Sequence, residues 1–260
     1  MTSTVLKLAQ DLMACPSVTP ATGMVFDCLE GQLAPLGFSV HRFLAGEAPD
    51  GPVENLFAIR RGSEGSRHFG FAGVCLASRW LPVARERLGP SAGRGPRLIS
   101  VVGFPFGAVP AAVKLAEAEW AAAAGAEELD VVPDFGALAD GDSRSFCDDL
   151  APIVELGLPV KVILEVGRLE PAALELAVEA SIDVGAAVLK TGSGFGPAAT
   201  VQQVQRLRDL ARGRAAIKAS GGITTLEQAL ELVEAGASRL GTSRGVALIQ
   251  ALRRGEPGSP

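Results

Sequence analysis

The sequence predicts an α/β fold of repeated β-strand–α-helix units, close to a (β/α)8 TIM barrel. From residue 69 onward, short apolar runs alternate with amphipathic segments, and each pair forms one repeat. Three of the amphipathic segments are followed by Gly125, Gly185 and Gly236, as expected of helices with left-handed caps. The apolar runs are rich in β-branched residues, which is typical of a parallel sheet buried on both faces.

The first part of the chain lacks this alternation. Its predicted elements are helices over residues 4–15 and 21–36 and strands over residues 38–43 and 55–60. Pro16 ends the first helix. Because the order is helix, helix, strand, strand, we expect two domains, residues 1–68 and residues 69–260.

Seven units are expected in the second domain. Strands are predicted over residues 70–76, 98–102, 128–132, 160–165, 187–190, 215–218 and 239–241, and helices over residues 111–124, 171–184, 201–211 and 226–235. Pro171 suits a first helical turn, and Thr225 with Gln228 forms a capping box. The alternative, an open doubly wound sheet, lacks its glycine signature after the first strand.

Composition excludes several classes of function. The net charge is −5 and no basic run is present, so we expect no nucleic-acid partner. The N-terminus is too polar for a signal peptide and no apolar run is long enough to span a membrane, so we expect a cytoplasmic protein without a membrane partner. Two histidines and four scattered cysteines predict neither a metal site nor a cofactor.

The expected active site lies at the carboxyl ends of the barrel strands. These ends contain Cys75, Gly103, Phe104, Pro105, Asp130, Glu165, Lys190, Lys218 and Gly241. Two lysines and an acid without a histidine favour amine chemistry on a carbonyl over metal hydrolysis. We expect Lys190 to form a Schiff base, Lys218 to lower its pKa and Asp130 to move the proton. The alternative is a plain ion pair in which Asp130 is the counter-ion.

The last two predicted strands lead into loops rich in glycine. Ser220-Gly221-Gly222 follows one strand and Gly241-Thr242-Ser243 follows the next, each before a helix. Backbone N–H groups in such loops commonly bind phosphate in barrels. The alternative is that both loops are ordinary helix caps and turns.

Other polar residues are interpreted as structural. Cys75 and Glu165 are assigned to the framework rather than to the chemistry. Lys161 lies at the start of its strand, away from the expected site, and is predicted to be solvated. The same solvated state is expected on helix faces for Glu117, Glu119, Asp148 and Asp149.

From about residue 71 to the end, the chain resembles deoxyribose-phosphate aldolases, class I aldolases with a (β/α)8 barrel. The matching segments are FAGVCL, VVGFPFGAVPAAVKLAEAEWAAAAGAEELDVV, VKVILEVGRL, GAAVLKTGSGFGPAAT, IKASGGITT and RLGTS. The resemblance implies cleavage of 2-deoxy-D-ribose 5-phosphate, a phosphorylated sugar, to glyceraldehyde 3-phosphate and acetaldehyde. It implies Lys190 as the Schiff-base lysine, Lys218 as the second lysine and Asp130 as the acid. The implied phosphate-binding residues are Gly194, Gly221, Gly222, Gly241 and Ser243.

The chain departs from that family at several points. Gly192 interrupts the usual KTST motif, Thr224 stands where an arginine is usual, and Arg244 stands where a serine is usual. The family's first βα unit, with its Asp-His-Thr type motif, has no counterpart. We therefore expect an imperfectly closed barrel, or an N-terminal segment across the opening. An exposed sheet edge would favour a homo-oligomer.

Residues 4 to about 73 instead resemble the start of succinyl-diaminopimelate desuccinylase, a two-zinc amidohydrolase. The matching segments are VLKLAQDLMACPSVTP, LAPLGFSV, ENLFAIRRG and HFGFAG. The zinc-binding continuation is absent, because Val74-Cys75-Leu76 follows Gly73. The sequence thus predicts a fusion of two unrelated pieces. It leaves three hypotheses: an active aldolase, an impaired or inactive chimera with an aldolase barrel, and a zinc amidohydrolase.

Overall fold

A computed structural model describes residues 24–34, 38–45, 53–60, 69–89 and 95–254. The chain divides into two compact units, Met1–Glu64 and Gly65–Pro260. The helix predicted over residues 4–15 lies outside the described residues. None of the described helices is long and apolar enough to cross a membrane.

The described residues of the first unit form a helix and two antiparallel strands. The elements are α1 (Met24–Leu33), β1 (Phe38–Ala45) and β2 (Val53–Arg60). The two strands pair antiparallel along their whole length. The Arg42 guanidinium on β1 lies 2.7 Å from Asp27 and 2.9 Å from Glu30, both on α1. The predicted helix and both predicted strands are confirmed here, with shifted ends.

The second unit is built on a parallel sheet of seven strands. They are β3 (Gly73–Leu76), β4 (Arg97–Val102), β5 (Glu128–Val131), β6 (Val160–Ile163), β7 (Val188–Lys190), β8 (Ala216–Ser220) and β9 (Arg239–Gly241). Each strand pairs with the next one along the chain, in the order of the sequence. This is the βα repeat that the periodicity predicts, curled as in a barrel.

Helices follow the strands. They are α2 (Leu81–Leu88), α3 (Ala111–Ala123), α4 (Phe135–Ala139), α5 (Ser143–Val154), α6 (Pro171–Asp183), α7 (Val201–Ala211), α8 (Leu226–Glu234) and α9 (Gly245–Arg254). The predicted capping box of Thr225 with Gln228 begins α8. Sequence analysis missed α2 and α4, and it placed helices at α5 and α9 without giving their bounds. Asp134 and Asp142, which cap α4 and α5, were available as start signals.

The core lies between the sheet and these helices. Its fully buried members include Leu98, Leu129, Val162, Leu189, Phe146, Leu150, Val178 and Leu207. Every residue of β5, β6 and β7 is buried, as expected of parallel strands covered on both faces. Burying each large apolar side chain contributes about 1.5–3 kcal/mol, so this interface dominates the stability of the unit.

Among the described residues, the strands of this sheet do not close into a complete ring. In the described part of the chain, β3 and β9 are its two edges and do not pair with each other. A cavity of about 670 Å³ opens between them, with Phe71, Val74, Leu240 and Val246 among the residues of its wall. The imperfectly closed barrel expected from the missing first unit is therefore observed.

Two carboxylates predicted to be solvated are not. Glu117 accepts hydrogen bonds from the Ser78 hydroxyl at 2.7 Å and from the Gly103 N–H at 2.9 Å. Asp149 is 5% exposed and lies 2.6 Å from Lys114 Nζ. Helix periodicity places such side chains on a face but does not reveal the partner across it. Glu119 and Asp148 are exposed, as predicted.

Candidate active site

Four consecutive strands bring the candidate catalytic residues together. Asp130 on β5 is in register with Lys161 on β6. Lys190 at the end of β7 is in register with Lys218 on β8. Residues in register on neighbouring parallel strands point to the same face of the sheet, here the interior. The proximity of Asp130, Lys190 and Lys218 could be predicted from the sequence, because the carboxyl ends of parallel strands lie at one edge of the sheet.

Asp130 is the common partner of three amines. Its Oδ2 accepts hydrogen bonds from Lys190 Nζ at 2.8 Å and from Lys218 Nζ at 2.6 Å. Its Oδ1 accepts from Lys161 Nζ at 2.7 Å. Asp130 is fully buried, and Lys190 and Lys218 are each 5% exposed. The three predicted catalytic residues therefore form one contact cluster in a nearly dry interior.

Burial and charge set the protonation of this cluster. Desolvation alone would raise the pKa of Asp130, but the charges of Lys190, Lys218 and Lys161 outweigh it and hold the pKa below its ordinary range. Desolvation lowers the pKa of Lys190 from its ordinary value, and the nearby Lys218 lowers it further, while Asp130 opposes the shift. A lysine with a lowered pKa is neutral more often and is the better nucleophile.

The prediction that Lys161 is solvated is wrong. Lys161 is 1% exposed and its Nζ lies 2.6 Å from Glu128 Oε2 and 2.7 Å from Asp130 Oδ1. The second residue of β6 points inward, where the barrel interior is filled by side chains rather than by water. Lys161 thus joins the candidate site to a second ionic group below it.

That second group centres on Glu128 and was missed by sequence analysis. Its carboxylate lies 2.6 Å from Arg97 and 2.6 Å from Arg239, in addition to Lys161. Desolvation opposes ionisation, but the hydrogen bonds from Lys161, Arg239 and Arg97 lower the pKa of Glu128 to about 2. Glu128 and Asp130 are two apart on one strand, so they share the inward face; that spacing was the available signal.

Cys75 borders the cluster from β3. Its Sγ lies 3.8 Å from Asp130 Oδ2, and the residue faces the cavity between β3 and β9. Cys75 is exposed to that cavity, and its thiol lies beside the charged groups of the barrel interior. Desolvation there raises its pKa, and the Asp130 charge raises it further. The thiol is therefore protonated at neutral pH, in keeping with a framework role.

The loops after β7 and β8 are joined to each other. The Thr191 hydroxyl donates to Ser220 O and accepts from Ser220 N–H, both at 2.9 Å. The Ser220 hydroxyl donates to Gly192 O at 2.6 Å, and the Ala199 N–H donates to Gly221 O at 3.0 Å. The two loops therefore form one fixed unit.

The predicted phosphate-binding residues lie on these loops and on the loop after β9. A Cβ on Gly221, whose φ is 104°, would lie 3.6 Å from Gly194 Cα. A Cβ on Gly222 would press on Ala198, at 2.5 Å from its Cβ. Gly241 is in register with Ser220. Ser243 is exposed on the loop that follows. Gly194 and Gly221 thus lie together, with Gly241 beside Ser220.

The solved structures that resemble this chain include aldolases. The chain resembles barrel aldolases: a structure described as "QR15, an Aldolase" matches with a TM-score of 0.68 and 33% identity over 73% of this chain and 85% of that one. The deoxyribose phosphate aldolase of Aeropyrum pernix matches with a TM-score of 0.65 and 34% identity, over 72% and 80%. No protein-family model matches the chain.

The sequence relatives are more specific. The deoxyribose-phosphate aldolase of Trichormus variabilis is 46% identical over 72% of this chain and 81% of its own length. That of Cyanothece sp. is 46% identical over 76% of this chain and 86% of its own length. The chain belongs to the deoxyribose-phosphate aldolase family, a family of lyases. The similarity of the N-terminal segment to a desuccinylase stays a prediction.

Proposed function

We propose that this chain is a class I aldolase that cleaves 2-deoxy-D-ribose 5-phosphate to glyceraldehyde 3-phosphate and acetaldehyde. The observation that supports it best is the buried Lys190 amine, 2.8 Å from Asp130 and next to Lys218, in a member of this family. A desolvated lysine of lowered pKa is what Schiff-base formation needs. The chemistry requires no cofactor.

In the proposed reaction, the neutral amine of Lys190 adds to the aldehyde of the open-chain sugar. Loss of water gives an iminium. Removal of the proton from the hydroxyl on C3 then forms the new carbonyl and breaks the C2–C3 bond, whose electrons pass to the iminium at C1. Glyceraldehyde 3-phosphate is released and an enamine stays on Lys190. Protonation and hydrolysis of the enamine release acetaldehyde. Asp130, ionised and bonded to both amines, positions Lys190 and relays these protons with Lys218.

The phosphate is proposed to bind the glycine-rich loops. Backbone N–H groups of Gly194, Gly221, Gly222 and Gly241 would contact it, with the Ser243 hydroxyl as a further donor. The hydrogen bonds between the loops after β7 and β8 support this role, because fixed N–H groups bind an anion without an ordering cost. The exposed Arg244 is an additional cation beside Ser243.

Reductive trapping tests the proposal. The protein is incubated with acetaldehyde and borohydride, digested and analysed by mass spectrometry. We expect one reduced ethyl adduct, at Lys190, and none in Lys190→Met. An adduct at other lysines with Lys190 unmodified, or no adduct, would contradict the proposed nucleophile. Release of glyceraldehyde 3-phosphate from the phosphorylated sugar, followed in a coupled assay, tests the substrate.

A second candidate is an impaired aldolase. The cavity of about 670 Å³ between β3 and β9 favours it, because Lys218 lines that cavity and the family's first βα unit has no counterpart here. An impaired enzyme would still form the Lys190 adduct but would cleave the sugar phosphate slowly. The ratio of the trapping rate to the cleavage rate separates the two candidates.

For the rest of the chain we propose a fusion, with residues 1–68 derived from a desuccinylase-like segment and residues 69–260 forming the barrel. Zinc analysis of the full-length protein tests whether any hydrolase site remains; we expect none, and two bound zinc ions would contradict this. The Aeropyrum pernix relative is described as tetrameric. We propose a cytoplasmic homo-oligomer for this chain, to be checked by light scattering.

A further inference from the structure

Glu165 has an unusual backbone conformation close to the candidate site. It follows β6 and precedes a short 3-10 turn, Val166–Arg168, with φ of 48° and ψ of 48°. This left-handed region is uncommon for a residue with a side chain. Glu165 is only 7% exposed. Such a conformation persists where the surrounding structure holds it, and it often marks a functional constraint.

The side chain of Glu165 is enclosed by the loop that follows Lys190. Its Oε1 accepts a hydrogen bond from the Ser193 N–H at 2.5 Å. A Cβ on Gly192 would lie 3.5 Å from Oε2, and a Cβ on Gly196 would overlap that oxygen. The chain from Gly192 to Gly196 therefore wraps around the carboxylate, and glycine at position 196 is required for this contact.

The carboxylate completes the attachment of the loop. On the β8 side the loop is held by Thr191 and Gly192, which bond to Ser220. On the β6 side, Glu165 binds Ser193, and the Arg168 guanidinium donates to Phe195 O at 3.2 Å. Gly194, with φ of 96°, lies between these two anchored residues. Its N–H direction is thus set from the β6 side by Glu165.

We propose that Glu165 is a positioning residue that holds the loop after β7 in its phosphate-binding shape. This inference rests on the proposed function, in which that loop binds the substrate phosphate. The carboxylate would act through the backbone and not through its charge, since a negative charge near a phosphate is repulsive. Without it, the Ser193 N–H loses its acceptor, and ordering the loop becomes a cost of phosphate binding.

Two substitutions at position 165 separate geometry from charge. Glu165→Ala removes the acceptor. Glu165→Gln keeps an oxygen that can accept from Ser193 and removes the charge. Glu170→Gln is the matched control, because Glu170 is an exposed carboxylate on the same connection whose side chain makes no cap bond. KM and kcat are measured with the phosphorylated and the unphosphorylated sugar, and the Kd of inorganic phosphate is measured by titration.

For Glu165→Ala we expect KM for the phosphorylated sugar and Kd for phosphate to rise about tenfold, the effect of leaving the Ser193 N–H without its acceptor. KM for the unphosphorylated sugar, and kcat for both sugars, should change by less than about threefold, because these constants do not depend on phosphate binding. Glu165→Gln should stay within about threefold of the wild type in all constants, because its oxygen still accepts from Ser193. The control should match the wild type.

Three results would overturn the inference. They are an unchanged phosphate Kd in Glu165→Ala, an equal loss with both sugars, and a Glu165→Gln variant as weak as Glu165→Ala. If Glu165→Ala does not fold, Gly196→Ala, which displaces the carboxylate without removing it, provides the same comparison. Failure of Lys190 trapping in the wild type would instead overturn the proposed function, and the phosphate titration would still test Glu165.

Discussion

Asp130 Oδ2 lies 2.8 Å from Lys190 Nζ and 2.6 Å from Lys218 Nζ, so one carboxylate oxygen is shared by two amines from neighbouring strands. Such sharing keeps the two amines close to each other in a site with little water. The second amine raises the cost of protonating the first, while the carboxylate limits that effect. Protonation of Lys190 is therefore set by the balance between Asp130 and Lys218.

Asp130→Asn should be strongly destabilising. The substitution leaves three buried lysines without their shared counter-charge, and breaking a buried ion pair from one side typically costs about 3–5 kcal/mol. Urea unfolding followed by circular dichroism measures the loss. The control is Asp148→Asn, an exposed carboxylate on α5, which should change the free energy of unfolding by less than about 0.5 kcal/mol. Equal stability of the two variants would contradict the buried cluster.

Lys218→Met should shift the pH dependence of Schiff-base trapping. Lys218 lowers the pKa of Lys190, so its removal raises that pKa and reduces the neutral amine at neutral pH. Adduct formation with acetaldehyde should slow near pH 7 and recover as the pH is raised. Arg144→Gln serves as the control, because Arg144 is an exposed cation far in sequence from Lys218. A pH profile identical to the wild type would show that Lys218 does not tune Lys190.

Acid should destabilise the barrel through Glu128. Its folded-state pKa is about 2 against an ordinary value of 4.5, so its contribution to stability is complete above about pH 4.5 and is lost as the pH falls toward 2. Asp130, whose pKa is also lowered, adds to the loss in the same direction. Urea midpoints measured from pH 7 to acid should fall less steeply for Glu128→Gln. The hypothesis fails if the variant and the wild type lose stability in parallel.

Gly241→Ala should weaken phosphate binding and also displace the side chain of Lys218. The added Cβ would lie 2.9 Å from Ser220 Cβ and 3.1 Å from Lys218 Cε, so one of them must move. We expect a higher KM for the phosphorylated sugar and slower Lys190 trapping. Gly95→Ala is the control, because a Cβ there meets no atom within 4 Å and its φ is unstrained. Normal constants in Gly241→Ala would indicate that the loop after β9 lies outside the site.

The contacts among Asp130, Lys190 and Lys218 could be predicted because they follow from the periodicity alone. Apolar runs located the strands, and parallel strands bring their carboxyl ends to one edge. The inward direction of Lys161 could not be predicted, since it depends on the stagger of a strand of only four residues. The burial of Asp149 was missed for a similar reason, because its partner Lys114 lies on another helix.

Backbone conformation was also beyond the reach of the sequence. Nothing around Glu165 marks it for a left-handed conformation, which is set by its contact with a loop that follows more than twenty residues later. The bounds of α5 could not be predicted, because Pro152 lies inside the helix. The origin of residues 1–68 stays a prediction, since neither the fold nor the relatives test it.

The ion pair between Arg239 and Glu128 joins β9 directly to β5, across the barrel interior and past the three strands that separate them. In a complete ring, curvature is maintained by hydrogen bonding around the circumference. Here the hydrogen bonding is interrupted between β9 and β3, and the ion pair between Arg239 and Glu128 restrains the edge strand β9 instead. Because Glu128 is only 1% exposed, salt screens this ion pair weakly, and the restraint on the edge strand should persist at ionic strengths that weaken surface ion pairs.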